Sequence, residues 1–304
     1  MRSLSHILFL LAFLVPAHRL SACDACGCSL SQAYLGLTPL QSGHYLGIWW
    51  QHQRYRTFSD PEFTRVTAGA DEYFNSIELR GRFQLSDRIQ LLGVVPYAHH
   101  IRSNEGDPRL VNGAGDVLVM ASFTAFDNSD SLLLKVRHRL AIGIGGKAPT
   151  GRFQQPAPEE VVNPNFQVGT GSWDALLNLS YTARIGSWGA SLDGTYRINS
   201  TNSADYRFGS RLTGAAGVFR LNAIGEGQLM TSASILYENA EWDVENGYYR
   251  TNTGGSALFA TFGAEWYWKR YNIGLNWSLP LEQDWNNGLV EARTRASLHF
   301  TYFI

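Results

Sequence analysis

The sequence predicts an all-β fold, a transmembrane antiparallel up-and-down β-barrel of about twelve strands. Three observations predict it. Past residue 43 the chain alternates with period 2 in segment after segment, which gives a sheet two unlike faces. The apolar rows carry large aromatics at or near their ends, where strands would cross membrane interfaces. The polar rows carry more charges than the dry core of a soluble sandwich tolerates.

The pattern is clearest in four segments. Over 73–85, Tyr73, Ile77, Leu79, Phe83 and Leu85 oppose Ser76, Glu78, Arg80, Arg82 and Gln84. Over 173–184, Trp173, Ala175, Leu177, Leu179 and Tyr181 oppose Asp174, Asn178, Ser180, Thr182 and Arg184. Residues 188–199 and 271–282 repeat the scheme, with Trp188 and Tyr196 in one and Tyr271 and Trp277 in the other. In chain order the strands are expected at 43–58, 72–86, 88–102, 113–126, 131–147, 172–185, 188–199, 205–221, 228–243, 255–269, 271–282 and 290–304. Short connections such as Asp87, Gly186-Ser187 and Arg270 alternate with longer ones, the largest running from Ala148 to Gly171. Short periplasmic turns and long outer loops follow the outer-membrane rule, and an even strand count puts both termini in the periplasm. Closure follows from hydrocarbon solvation, because an open sheet edge would leave backbone N–H and C=O groups unpaired in lipid.

Composition agrees. Among 304 residues there are 9 Trp, 14 Tyr and 16 Phe, and only 17% are charged. The net charge of −1, without a basic stripe, argues against nucleic-acid binding. Residues 1–22 read as a signal peptide: Arg2 and His6 precede the apolar run Ile7 to Pro16, and small residues follow at Ser21 and Ala22. That run is shorter than the roughly 20 residues a transmembrane helix needs. Residues 23–42 form a periplasmic N-terminal segment, and 43–304 the outer-membrane barrel of a Gram-negative bacterium. Its expected partners are outer-membrane lipid, the barrel-insertion machinery and a small-molecule solute.

Several motifs fit this frame. Leu85-Ser86-Asp87-Arg88-Ile89-Gln90-Leu91 precedes Val95-Pro96-Tyr97, and Gly113-Ala114-Gly115-Asp116-Val117 opens the next strand. Gly146-Lys147-Ala148-Pro149-Thr150-Gly151 closes the fifth strand, and Gly169-Thr170-Gly171-Ser172-Trp173-Asp174 opens the sixth. In order and spacing these resemble the outer-membrane "MetA-pathway of phenol degradation" transporter-like family over residues 80–200. Leu279-Pro280-Leu281-Glu282-Gln283 matches it more loosely. The resemblance implies a barrel distantly similar to FadL-like channels, transporting small, hydrophobic or aromatic molecules. FadL-like channels carry an N-terminal hatch, whereas only residues 24–42 precede the first strand here. The last strand, from Arg295 through Phe300 and Tyr302 to Phe303-Ile304, resembles the C-terminal signal of such barrels.

Two constellations carry chemistry. Cys23, Cys26 and Cys28 form a Cys-x-x-Cys-x-Cys cluster able to hold Cu(I) or Zn, which makes an outer-membrane copper-handling protein the alternative function. The same residues admit a lipid anchor on Cys23, because Leu20-Ser21-Ala22-Cys23 resembles a lipobox, or a disulfide. The second constellation is a charged lumen: Glu78, Arg80, Arg82, Lys135, Arg137, Arg139, Asp174, Arg184, Asp193, Arg197, Arg207, Arg211, Glu265, Glu282, Glu291, Arg293 and Arg295. Its arginine excess would favour anionic or polarisable solutes, or its ion pairs would simply fill a narrow barrel. His99 and His100 point to opposite faces and cannot share a metal. His138 faces lipid with no Ser two residues away, so no enzyme is expected.

Overall fold

The computed structural model describes residues 43–58, 70–103, 108–129, 134–153 and 166–304. The expected signal peptide, the expected periplasmic N-terminal segment and Cys23, Cys26 and Cys28 lie outside the described residues.

Twelve antiparallel staves close a barrel. In chain order they are β1 (Tyr45–Thr57), β2 (Ala70–Gln84), β3 (Ile89–Ser103), β4 (Arg109–Ala114) continued by β5 (Val117–Asp127), β6 (Val136–Ala148), β7 (Asp174–Ile185) and β8 (Trp188–Asn199). The short strand β9 (Tyr206–Arg207) precedes β10 (Arg211–Ile224) and β11 (Gly227–Ala240). After β12 (Asp243–Glu245) and β13 (Tyr248–Arg250), the wall resumes with β14 (Gly255–Trp268), β15 (Tyr271–Trp285) and β16 (Val290–Phe303). Each stave pairs with its sequence neighbour, and β16 returns to β1 from Tyr45↔Phe303 to Thr57↔Val290, which abolishes the sheet edge. Among the described residues the helical content is one turn, Asn286–Gly288.

One end of the barrel has tight turns. Gly186-Ser187, Gly225-Glu226 and Lys269-Arg270 each join two staves. The first residue of each adopts positive φ, at 58°, 56° and 53°, which glycine accepts freely and Lys269 accepts at some cost. The opposite end carries the long connections, including 149–173, 200–210 and 241–254. There β9, β12 and β13 form a separate three-stranded sheet over the mouth.

The outer wall is apolar all the way round. Leu79, Val95, Ile144, Leu179, Val218, Ile273 and Leu298, from different staves, are each 47–66% exposed. A soluble protein does not expose such a belt, and lipid covers it. Trp268, Tyr271 and Tyr302 meet at the tight-turn end, with ring centroids 6.1 and 5.5 Å apart, as an interfacial girdle.

The strand limits correct the sequence reading in places. The fourth stave starts earlier, at Arg109, and breaks at Gly115-Asp116, with β4 and β5 both pairing to β3. The fifth begins at Val136, which leaves Lys135 ahead of the strand and exposed. The eighth begins at Arg211, so Arg207 belongs to the sheet over the mouth rather than the wall.

Candidate functional site

The interior is a belt of charges between apolar layers. Arg80 grips Glu78 (Nε–Oε2 2.8 Å) and lies over the Trp49 ring at 4.7 Å. Trp49 stacks on His299 at 5.0 Å, and His299 shares a 2.7 Å hydrogen bond with Asn272. Asn272 and Tyr267 donate to Glu265 at 3.4 and 2.5 Å. Arg295 holds Glu238 with two hydrogen bonds of 2.8 and 2.9 Å, donates to Tyr55 Oη at 2.7 Å and covers Phe259 at 3.9 Å. Such bidentate, stacked geometry is what the planar guanidinium supplies and a lysine would not.

Lys147 anchors a second cluster. Its Nζ lies 2.8 Å from both Asp116 Oδ2 and Asp174 Oδ2, and the three side chains are 1–3% exposed. Asp116 is fully engaged: Gly151 N–H donates to Oδ1 and Thr170 N–H to Oδ2, both at 2.9 Å. Thr150 accepts from Val117 N–H at 2.9 Å and donates to Gly115 C=O at 3.0 Å, while Ser172 donates to Asp174 at 2.8 Å. Thus Gly113–Val117, Gly146–Gly151 and Gly169–Asp174, three motifs distant in sequence, meet at one buried point.

This latch fixes a strap against the inner face of the wall. Residues 166–172 fold inward, and Phe166 packs against Phe74, 5.9 Å between ring centroids, and against His100 at 6.3 Å. A Cβ on Gly169 would sit 2.7 Å from Gly151 carbonyl atoms, so the crossing of the two segments requires glycine there. Around Phe166 the long-loop end of the lumen holds an apolar, largely aromatic cluster, with Tyr55, Phe74, Leu236, Phe259 and Trp285 all buried. On the far wall a cavity remains, lined by small polar side chains that include Ser191, Ser232, Ser234, Thr261 and Ser278, with Arg295 at its edge.

The proposed lumen residues divide into three groups. Glu78, Arg80, Arg82, Arg137, Arg139, Asp174, Arg184, Asp193, Arg197, Arg211, Glu265 and Arg295 occupy the inward rows of their strands. Glu282, Glu291 and Arg293 do not. A bulge opposite Leu258/Phe259 turns Glu282 outward, and a bulge opposite Gln53/Tyr55 does the same to Glu291 and Arg293, which pair with each other at 2.6 Å. One extra residue flips every side chain beyond it. Lys135 and Arg207 lie outside the wall. Asp116, Lys147, Glu72 and Glu238 are interior charges absent from that set, although Asp116 and Lys147 sat inside the quoted motifs. His100 points inward, 4% exposed, and His99 outward. Among the described residues no group of three or more His, Cys, Asp or Glu could hold a metal.

No protein-family model matches the chain, and no curated protein matches it. Among solved structures it is similar to an outer membrane channel from Pseudomonas putida F1, at TM-score 0.64 and 14% identity, covering 87% of this chain and 97% of that one. The translocator domain of the autotransporter NalP from Neisseria meningitidis matches at TM-score 0.46 and 10% identity over 90% and 93% of the two chains. The CymD monoaromatic hydrocarbon channel matches at 0.37 and 9% over 87% and 89%. At these identities the first likeness speaks to the fold, and the other two carry no argument.

Proposed function

We propose that the chain is an outer-membrane channel of a Gram-negative bacterium for small molecules that are hydrophobic or aromatic in part, with both termini in the periplasm. The observation that carries this reading is the strap. Its residues 166–172 join no strand of the barrel wall, lie inside the barrel against the inner face of β2 and β3 and are tied down by a polar latch. A wall needed only for anchorage would gain nothing from such an insert. The aromatic lining beneath the long loops, built by Tyr55, Phe74, Phe166, Phe259 and Trp285, supports an apolar solute group. The similarity in fold to an outer membrane channel and the earlier motif resemblance point the same way. The apolar alternation of β16, ending in Phe300, Tyr302 and Phe303, suits recognition by the insertion machinery.

The test uses the full-length protein, refolded into planar bilayers and liposomes. Ion conductance and uptake of a small aromatic solute above protein-free vesicles are expected. A barrel correctly folded by circular dichroism that passes neither ions nor solute would end this reading.

A further inference from the structure

Arg137 on β6 and Arg184 on β7 are directly paired across the strands, and both lie on the inward row near the tight-turn mouth. Side chains so paired stand about 5 Å apart at Cβ, where like charges are destabilising. Neither guanidinium makes a hydrogen bond or ion pair with any described residue. Asp127, on the neighbouring β5, is taken: it faces Arg139 at 3.6 Å and accepts Ser129 N–H at 2.8 Å. Further along the same wall Arg197 is 6% exposed, with Nε and Nη1 making no hydrogen bond among the described residues. Between them the inward rows of β7 and β8 carry Thr182, Ser180, Asn178 and Thr195, which are neutral hydrogen-bonding groups, and one acid, Asp193, 7% exposed and 3.4 Å from Asn178 Nδ2.

We propose that Arg137 and Arg184 form an anion-binding station at the inner mouth of the lumen, taking the carboxylate or phosphate group of a small solute. Two forked cations side by side match a planar or tetrahedral oxyanion, and an anion between them relieves their repulsion. Because both residues face inward, the ligand is a free solute and not a lipid headgroup. This inference rests on the channel reading and sharpens it: an aromatic cluster under the long loops and an anion site at the other end select solutes such as aromatic carboxylates.

Titration of the detergent-solubilised full-length protein with inorganic phosphate and with benzoate tests the station. R137Q and R184Q are each expected to weaken both by roughly tenfold. R220Q, whose guanidinium lies outside the barrel 5.3 Å from the Trp188 ring, is expected to leave both unchanged. Equal affinities in wild type, R137Q and R184Q overturn the station, as does an equal loss in R220Q or no binding by the wild type. Bilayer recordings on the same proteins separate the two readings. A wild type that binds phosphate through these arginines but passes no ions keeps the station and sinks the channel. A conducting wild type whose anion-to-cation permeability ratio survives R137Q and R184Q, without binding, does the reverse.

Discussion

Lys147 shows how one residue can decide a local structure. Its ammonium sits between two carboxylates in a site closed to water, where breaking one partner of a buried ionic group leaves an uncompensated charge. Lys147→Met is therefore expected to cost about 3–5 kcal/mol, read as a lower urea midpoint for the barrel in vesicles. A loss below about 1 kcal/mol would mean that water or rearrangement replaces the ammonium easily. The same residue scale explains why the latch was hard to see in the sequence. Lys147, Asp116 and Asp174 look like isolated charges on three strands, and their chemistry exists only once those strands curve together. Asp174 stood in the expected lumen row. Lys147 and Asp116 stood only in turn-rich motifs, whose glycines were legible as backbone devices and not as close crossings.

At the scale of elements, strand identity was legible because period-2 alternation is imposed by the pleat itself. The tight turns were legible for the same local reason, since Gly186 and Gly225 mark positive φ. What escaped was parity beyond a bulge. In β16 the register jumps between Gln53/Tyr55 of its partner, so Arg295 points in while Glu291 points out, although both are odd-numbered. No local signal in Glu291-Ala292-Arg293-Thr294-Arg295 announces that extra residue. The sheet over the mouth also escaped, because β9, β12 and β13 span two or three residues each. It is pinned by Asp243, which accepts hydrogen bonds from Tyr206 Oη and, at 2.7 Å, from Gly209 N–H. Burial pushes the Asp243 carboxyl up from 3.8 to about 6, against the lowering effect of those bonds and of Arg211 and Arg250. The folded sheet then holds a proton that the opened strand releases. Stability is full below the ordinary aspartate range and is lost as pH rises towards about 6, with no further change above. Hydrogen-exchange protection of β9 and β12 is expected to fall across that window, and D243N to flatten the profile. A fall that persists in D243N would assign it to another group.

For the whole molecule the governing fact is the solvent outside the wall. Leu179 is 47% exposed on the outer face of β7, near the middle of its strand. Leu179→Arg is expected to weaken folding into bilayers by about 2–4 kcal/mol, the cost of an arginine near the midplane. Folded yield in vesicles, measured against wild type over a urea series, reads the loss. An unchanged yield would place this face against water or another protein. Closure itself, with β16 on β1, uses residues more than 200 apart in sequence, such as Arg295 and Tyr55. Such contacts come late, because long loops must close before they form.

By itself the sequence determined the class of fold, the number of staves and which face of most strands meets lipid, because alternation, turn residues and aromatic placement act over a few neighbouring residues. Only the tertiary structure decided which charges pair, where the rows slip by one and how residues 166–172 come to lie inside the barrel. Those outcomes depend on cross-strand register and on curvature, which set distances between residues that the chain keeps far apart.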